Sequence, residues 1–327
     1  MHVLKMKRQV KFGFVLPTWD WSTNPRHSNI EGGRLVDYEV VKDLALTAEN
    51  LGYHSIFSND HVLRGEGGYI FEGWTVLSAL SSVTKRVRLG NLVLCNSFRY
   101  PQLLAKMTST LDVISGGRFE LCIGAGWLED EYIRYGIPFP KPAVRVAQLR
   151  ESLDIIKRLW TLDRANFQGK YYRLRDAICE PKPLQKPHPP IMVGGGGEKL
   201  TLRVVAEFGD ICNFGGSPEG YAHKLDVLRR HCESVGRSFD EIEKSWTGDF
   251  IIAADKSDLT RKIQAIMPKG MLLADYVEAN IVGTPEECLK KVEEYMGLGV
   301  TYFTVNGFSK IMKRELEMIA ESVMPSL

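Results

Sequence analysis

The chain has 327 residues, of which 44% are hydrophobic and 25% are charged, and its formal net charge is +2. This length suits one large barrel or two medium domains, and the near-neutral charge provides no broad basic face for nucleic acid. No stretch reaches the roughly 20 apolar residues of a membrane helix, and the basic N-terminus lacks the apolar core of a signal peptide. We therefore expect a cytoplasmic protein that binds neither nucleic acid nor membrane.

The six cysteines are scattered along the chain and form no CxxC pair. This usage is typical of a reducing compartment and argues against both a disulfide framework and a zinc site. They are Cys95, Cys122, Cys179, Cys212, Cys232 and Cys288.

Strand-like and helix-like patterns alternate along nearly the whole chain. Residues 87–94 form an almost continuous apolar run, which is typical of a strand buried on both faces. Apolar residues at helical spacing follow several of the strands. The eight predicted strands are 11–17, 54–60, 87–94, 118–126, 191–194, 210–214, 245–254 and 302–308. The clearest helices are 37–51, 71–86, 102–115, 145–160 and 198–209.

Eight strands that alternate with helices predict an α/β fold, a TIM (β/α)8-type barrel, as a single domain over residues 1–327. The long interval between strands 4 and 5, about residues 128–188, is interpreted as an insertion over the top of the barrel that includes a small hairpin. A second insertion is predicted between strands 7 and 8. The alternative is an open doubly wound sheet, but the strand count and the lack of GxGxxG after the first strand argue against it.

Four consecutive glycines follow the fifth predicted strand and precede an amphipathic helix. They are Gly194, Gly195, Gly196 and Gly197. Bare backbone at a helix N-terminus presents free N–H groups and the positive end of the helix dipole, which suits phosphate. Glu198 is expected to open the helix and to face away from the phosphate. The alternative is a flexible turn without a ligand.

His61 and Asp60 lie at the end of the second predicted strand. A histidine at the mouth of a barrel can transfer a proton near neutral pH, and Asp60 stands beside it. A lone histidine is more often structural, so both interpretations remain open on the residues alone.

The ends of the third and fourth strands are rich in small and apolar residues. Those after strand 3 could line a flat ring, although Arg99 and Pro101 could equally form the architecture of the loop. Two glycines after strand 4 allow a ligand close to the backbone, and Trp127 could stack on a ring or pack under the insertion. We interpret 128–132 as the solvated first turn of a helix. The candidate residues are Leu92, Val93, Cys95, Asn96, Gly124, Ala125, Gly126 and Trp127.

No Ser-His-Asp order, GxSxG, HExxH or Walker loop occurs in the sequence. The predicted mouth combines a phosphate site, apolar walls and a histidine with few charged groups. Such a site is typical of an enzyme whose reactive atoms belong to a bound ring cofactor.

Along nearly its whole length the chain resembles the bacterial luciferase-like superfamily of flavin- and deazaflavin-dependent enzymes. The resemblance rests on "SNDHV", "PPIMVGGGGEK" and "VGTPEE", and above all on the block from Thr84 to Trp127. Within the superfamily the chain is most similar to the F420-dependent oxidoreductase branch, which includes glucose-6-phosphate dehydrogenases and methylenetetrahydromethanopterin reductases.

The resemblance implies a homodimeric enzyme that transfers a hydride at C5 of the deazaflavin F420, with FMN as the alternative cofactor, and a small-molecule substrate. It implies that His61 and Asp60 form a pair beside the ring and that Leu92-Val93 is a non-proline cis peptide behind it. Gly195, Gly196 and Gly197 match the phosphate loop. The neighbouring strand end completes the pocket with Asn213, Phe214 and Gly215, up to Gly216.

Two departures from the family pattern bear on the substrate. Trp127 stands where the sugar-phosphate dehydrogenases have a glutamate, and Ala279 and Asn280 stand where a basic residue is expected. Glucose 6-phosphate is therefore not expected as the substrate, and Trp127 suits a bulkier or more apolar one. His61 becomes the leading proton-transfer group, with water as the alternative proton donor to the substrate. The alternatives are an FMN-dependent monooxygenase and a non-enzymatic flavin-binding relative.

Overall fold

A computed structural model describes residues 10–19, 37–65, 68–306 and 312–327. The last two residues of the predicted eighth strand, 307 and 308, lie outside the described residues. All other segments discussed below fall within them.

The strands form one parallel sheet and one small antiparallel hairpin. In the parallel sheet the order is β3, β2, β1, β12, β10, β9, β8, β5 and β4, with β11 added to β10. The strands are β1 (Lys11–Val15), β2 (Ser55–Ser58), β3 (Arg88–Asn91), β4 (Leu94–Cys95), β5 (Leu121–Gly124), β6 (Ala165–Gln168), β7 (Arg173–Ala177), β8 (Ile191–Gly194), β9 (Ile211–Phe214), β10 (Glu243–Ile252), β11 (Ile281–Gly283) and β12 (Val300–Asn306).

The sheet closes on itself because β3 and β4 are two halves of one strand. β3 pairs with β2, and β4 pairs with β5. Leu89 of β3 also bridges Phe119, and the N–H of Glu120 donates to the carbonyl of Leu89 at 2.9 Å. The result is an eight-strand parallel barrel, which confirms the predicted fold.

Helices surround the barrel. They are α1 (Tyr38–Asn50), α2 (Gly73–Val83), α3 (Pro101–Ser115), α4 (Glu129–Arg134), α5 (Pro142–Thr161), α6 (Thr201–Phe208), α7 (Pro218–Val235), α8 (Lys256–Ile266), α9 (Leu273–Ala279), α10 (Pro285–Gly297) and α11 (Met312–Ser322). None of these helices combines the length and the apolar composition that crossing a membrane would require.

Local sequence explains where several helices begin. The Asp37 carboxylate accepts the N–H of Glu39 ahead of α1, and the Glu72 carboxylate accepts two N–H groups ahead of α2. α3 begins with Pro101, whose missing N–H costs nothing at a first helical position. The predicted helices at 37–51, 71–86 and 102–115 are therefore confirmed. The first two are slightly shorter than predicted, and the third begins one residue earlier.

Alternation along the strands divides the core into two layers. Phe14 and Ile56 pack outward against the helices, whereas their neighbours Val15 and Phe57 point into the barrel. The inner cluster is completed by Cys122, Met192, Ile211 and Tyr302. This filled interior leaves the carboxyl ends of the strands as the place where a cavity can form.

The insertion between β5 and β8 follows a different course from the expected one. α5 packs between α3 and α6 as the barrel's own fourth helix. The β6–β7 hairpin lies against α5, where the Glu151 carboxylate accepts the N–H groups of residues 170–172. The expected path over the top of the barrel is therefore wrong for the hairpin, because it flanks the barrel.

The second insertion, between β10 and α10, is built from α8, α9 and β11. β10 is ten residues long and continues beyond the barrel, where its last residues pair with β11. β11 was absent from the sequence-based prediction. Its three residues are too short for a pattern of hydrophobicity to reveal.

Candidate active site

A cavity of about 500 Å³ opens at the carboxyl ends of the barrel strands. Its size falls in the usual range for small-molecule sites. Among the described residues, the lining comes from every barrel strand end except that of β1. The lining residues are Asp60, His61, Leu92, Val93, Cys95, Gly124, Ala125, Gly126, Trp127, Glu131, Gly194, Gly195, Gly196, Thr201, Asn213, Phe214, Gly215, Lys224, Thr247 and Asn306.

The floor of the cavity is the break between β3 and β4. The Leu92-Val93 peptide is cis, as the resemblance implied. Val93 reaches the neighbouring strands so closely that a Cβ at Gly194 would lie 2.7 Å from one of its methyl carbons, and a Cβ at Gly124 would lie 3.0 Å from the other. Glycine at both positions therefore allows the Val93 side chain to form the floor.

Asp60 anchors this floor. Its carboxylate accepts the N–H of Cys95 at 2.7 Å and forms a bidentate ion pair with Arg99 at 2.8 and 2.9 Å. Asp60 is only 5% exposed. Both of its oxygens are therefore occupied by Cys95 and Arg99, although Asp60 lies beside His61 in the cavity lining. The catalytic role expected for Asp60 stays a prediction.

The carboxylate that contacts His61 is Glu131, on α4. Its Oε2 lies 2.8 Å from His61 Nδ1, and its Oε1 accepts the N–H groups of Val62 and Leu63 at 2.9 and 3.1 Å. Glu131 is 2% exposed. The interpretation of residues 128–132 as a solvated turn is therefore wrong at Glu131 and Tyr132, which are buried, and it is confirmed at Glu129 and Asp130, which are exposed.

The glycine loop follows β8, which β5 and the strand made of β3 and β4 separate from β2 and His61. Gly195 donates its N–H to the carbonyl of Asn213 at 3.0 Å, so this amide is already occupied. The N–H groups of Gly196 and Gly197 donate to no group of the described residues. Two amides of the loop are therefore free to bind a ligand, and the third, that of Gly195, is not.

Lys224, on α7, adds a positive charge to this loop. A Cβ at Gly196 would lie 2.9 Å from Lys224 Nζ, so the ammonium group sits directly against the glycine backbone. Its hydrogen bond is a long one, 3.4 Å, to the carbonyl of Gly215, and it pairs with no carboxylate in the described part of the chain. Free amides beside an unpaired ammonium form an anion site.

The helix after the glycine loop begins later than expected. α6 starts at Thr201, which lines the cavity. Glu198 lies in the preceding turn, where its Oε1 contacts His223 Nε2 at 3.1 Å. Glu198 is therefore outside the first helical turn, but it does face away from the cavity as predicted.

Trp127 forms an exposed aromatic wall beside the imidazole. Its side chain is 55% exposed, its ring meets the His61 ring edge-on at 6.0 Å between centroids, and the Arg64 guanidinium lies 5.3 Å from the indole centroid. An indole of this size costs free energy when it faces water. It therefore offers apolar surface to a ligand in the mouth.

Cys95 is a neutral part of the wall. Burial raises the pKa of its thiol to about 11, although a hydrogen bond with Tyr132 acts in the other direction. The Sγ and the Tyr132 hydroxyl are 2.9 Å apart. The thiol therefore stays protonated near neutral pH and contributes no nucleophile.

The structure brings nearly all the predicted site residues together around one cavity. Asn96 and Gly197 are the exceptions, because neither lines it; Asn96 is buried behind the floor. Five lining residues were absent from the prediction: Glu131, Thr201, Lys224, Thr247 and Asn306. Lys224 lies ten residues after β9 and Glu131 four residues after Trp127, and only the orientation of their helices brings them to the mouth.

No group of three or more potential metal ligands occurs within residues 10–19, 37–65, 68–306 and 312–327. The site therefore consists of an anion-binding end, an apolar floor, an aromatic wall and an imidazole held by a buried carboxylate.

Sequence comparison assigns this architecture to a known group of proteins. A model of the family described as luciferase-like monooxygenase matches residues 10–302. The F420-dependent glucose-6-phosphate dehydrogenase of Microbacterium testaceum (strain StLB037) is 30% identical over 313 aligned positions, which cover 87% of this chain and 92% of that protein. The FMNH(2)-dependent dimethylsulfone monooxygenase of Pseudomonas putida is 25% identical over 362 aligned positions, which cover 98% and 96%.

The fold is shared with solved structures. The coenzyme F420-dependent tetrahydromethanopterin reductase from Methanopyrus kandleri superposes with a TM-score of 0.79 at 21% identity, covering 97% of this chain and 99% of that one. At this level of identity the likeness establishes the barrel architecture and leaves the chemistry to the site residues.

Proposed function

The chain belongs to the luciferase-like monooxygenase family, and we propose that it is an F420-dependent oxidoreductase. In this proposal a hydride passes between C5 of the deazaflavin and a carbon of an organic substrate. The name of the Microbacterium testaceum relative supports the choice of cofactor, and the sequence resemblance to the F420-dependent branch agrees with it.

The observation that carries the proposal is the order of the groups along the cavity, from one end to the other. Gly196 and Lys224 line one end, and the free amide of Gly197 follows directly behind that lining; these groups form the proposed anion site. His61 stands at the other end. Between them lies the apolar floor of Leu92 and Val93. A planar ring with a phosphate-bearing tail fits this order, because its charge and its reactive edge have separate partners.

The bound deazaflavin would accept or supply the hydride at C5. The residues of the chain would do the rest. Lys224 and the free amides would hold the phosphate, Val93 would support one face of the ring and leave the other face open, and His61 would take up or release the accompanying proton. Holding the substrate carbon near the ring would supply much of the rate gain.

The lining residues also restrict the proposed substrate. Lys224 is the only lysine or arginine among those lining residues, and the phosphate of the cofactor would occupy it. No second lysine or arginine among the described lining residues remains for an anionic substrate, and Trp127 offers an apolar face. We therefore propose an uncharged organic substrate that packs against Trp127, and we expect no turnover of glucose 6-phosphate.

Titration of the purified protein with oxidised F420 and, separately, with FMN tests the cofactor. We expect the fluorescence of F420 to change saturably in the micromolar range or below. Tight binding of FMN with no response to F420 would overturn the proposal.

An FMN-dependent monooxygenase is the second candidate, because the Pseudomonas putida relative aligns with 98% of this chain. The anion site would accept the phosphate of FMN equally well. Oxygen consumption in the presence of reduced FMN and a small organic sulfone or aldehyde would favour this candidate over the first.

A further inference from the structure

We propose that Glu131 is a positioning residue that fixes the tautomer of His61 and so makes Nε2 the ring atom that exchanges a proton with the substrate. The inference rests on the proposed function of His61. It concerns contacts that lie wholly within the described residues 61–65 and 131.

Both carboxylate oxygens of Glu131 have hydrogen-bond partners. A carboxylate carries acceptors only. Oε1 is occupied by two donors that cannot change, the backbone N–H groups of Val62 and Leu63. Oε2 faces His61 Nδ1 at 2.8 Å. The hydrogen between Oε2 and the ring therefore belongs to Nδ1.

The other ring nitrogen of His61 is Nε2. A neutral imidazole carries one hydrogen, so Nδ1–H leaves a lone pair on Nε2. Nε2 of His61 has no hydrogen-bond partner in the described part of the chain, and the ring lines the cavity. Nε2 is thus a proton acceptor at the mouth.

The proton of the substrate heteroatom has its acceptor in His61. The bound deazaflavin would accept the hydride of the substrate carbon, and Nε2 would take that proton, so the ring becomes a cation with N–H on both nitrogens. Nδ1–H keeps its hydrogen bond to Glu131, whose negative charge stabilises that cation. In the reverse direction the Nε2–H returns the proton, so charge and hydrogen balance in both directions.

The burial of Glu131 favours this role over a purely structural one. The side chain is 2% exposed, and no lysine or arginine of the described residues pairs with it. A buried carboxylate without a cationic side chain is costly. Its position is explained if the imidazolium of His61 is its partner during the reaction.

Replacement of Glu131 by glutamine gives a sharp test, because the amide has one acceptor end and one donor end and its two orientations are therefore not equivalent. The two backbone N–H groups need an acceptor, so the amide oxygen takes the place of Oε1. The NH2 group then faces His61 and can only donate, so Nδ1 must become an acceptor. We expect E131Q to move the hydrogen of His61 from Nδ1 to Nε2.

Long-range proton–nitrogen NMR of the full-length protein labelled with 15N-histidine measures this directly at a pH where the ring is neutral. The chain has seven histidines, and the signals that vanish in H61Q identify His61. We expect Nδ1–H in the wild type, which is the minor tautomer of free histidine, and an exchange of the two nitrogen signals in E131Q.

Two further variants complete the test. E129Q changes an exposed glutamate of the same helix and is expected to keep the wild-type signals. E131D keeps an acceptor-only group and is expected to keep Nδ1–H. Its His61 tautomer can be measured if E131Q does not fold. An Nε2–H tautomer in the wild type, or an unchanged tautomer in folded E131Q, overturns the inference.

F420 titrations on the same samples separate this inference from the proposed function. We expect E131Q to bind F420 within about threefold of the wild type, because Glu131 holds no part of the proposed anion site. A wild type that shows Nδ1–H but binds no F420 would contradict the cofactor and leave the positioning role of Glu131 standing.

Discussion

Each end of the barrel places one acidic side chain among buried neighbours, and the partners of the two side chains differ sharply. Glu120 lies at the amino-terminal end, immediately before β5, and Asp249 lies at the carboxyl-terminal end on β10. Glu120 meets cationic partners, whereas Asp249 meets only neutral ones. The contrast separates the part of the barrel that supports the fold from the part that can bind a ligand.

Glu120 is fully compensated. Its carboxylate accepts hydrogen bonds from Arg88 Nε at 2.5 Å and from the Tyr302 hydroxyl at 3.0 Å, and His54 Nε2 lies 3.6 Å away. Burial raises the pKa of Glu120, but the interactions with His54 and with the positive charge of Arg88 outweigh burial, so the pKa is lowered. The ionised form is therefore the stable one in the folded protein.

Asp249 is compensated only in part. Its carboxyl group accepts hydrogen bonds from the Tyr276 hydroxyl at 2.7 Å and from the Asn306 amide at 3.4 Å. No lysine or arginine of the described residues pairs with it. Burial raises the pKa of Asp249, and these two hydrogen bonds reverse only part of that effect. Together with the unpaired Lys224, this leaves unbalanced polar groups at the end where ligands of such barrels bind.

The largest effect is expected from removing Glu120. E120A removes the buried carboxylate that accepts from Arg88 Nε and from the Tyr302 hydroxyl. The guanidinium keeps its bonds to Phe119 and Gln185 but loses its compensating negative charge. We expect a loss of about 3–5 kcal/mol in the free energy of unfolding, measured by urea denaturation.

The control for E120A is E243A, at the same end of the barrel. Glu243 pairs with Lys11 at 2.8 Å, but both side chains are partly exposed, so we expect a loss of about 0–1 kcal/mol. Equal losses in the two variants would show that the buried network contributes no more than a surface ion pair, and the comparison of the two ends would fail.

Much of the barrel was predictable from sequence because its signals are local. Continuous apolar runs identified the strands, helical spacing identified the helices, and the four glycines identified the loop at the end of β8. The split of strand 3 at Leu92-Val93 was available only through the family resemblance, because no local pattern of residues indicates where a strand breaks.

The pairing of charges was not predictable from sequence. Asp60 is adjacent to His61 in the chain yet binds Arg99 and Cys95, whereas Glu131 is 70 residues away and holds the imidazole. Lys224 reaches Gly196 only because α7 packs against α6. Such contacts depend on the relative orientation of separate elements, which spacing along one element does not contain.

The second-largest effect is expected at the mouth, where the carboxyl ends of the barrel strands lie. K224M removes the one lysine or arginine of the described cavity lining and is expected to weaken binding of F420, and of inorganic phosphate as a simpler probe, by about 10- to 100-fold. This corresponds to the roughly 1.5–3 kcal/mol of a hydrogen bond with a charged group. Fluorescence titration measures it, and the free energy of unfolding should change by less than about 0.5 kcal/mol.

K199M is the matched control, because Lys199 follows the glycine loop and is exposed. We expect binding in K199M within about twofold of the wild type and a steeper salt dependence for the wild type than for K224M. Equal weakening in both variants would mean that the loop attracts the cofactor through its general charge and has no specific anion site.

The smallest effect is also the most direct test of the contrast, because the two carboxyl groups should respond to pH in opposite directions. The pKa of Glu120 is lowered on folding. Its ionised form therefore contributes stability above the ordinary glutamate pKa, and that contribution is lost as the pH falls through the lowered value. The stability advantage of wild type over E120Q should shrink on acidification.

For Asp249 the sign reverses. Its pKa is raised on folding, so the folded state binds the proton more tightly, and stability is lost as the pH rises from the ordinary aspartate pKa to the raised value. Relative to D249N, the free energy of unfolding of the wild type should therefore fall by about 1.4 kcal/mol for each pH unit by which the pKa is raised. Urea denaturation between about pH 3 and 8, in steps of about half a pH unit, measures it. Y276F removes a hydrogen bond that favours ionisation and should enlarge the loss. If D249N followed the same pH trend as E120Q, the Asp249 carboxylate would have a cationic partner comparable to Arg88. The charges at the mouth would then be as fully compensated as those at the opposite end of the barrel.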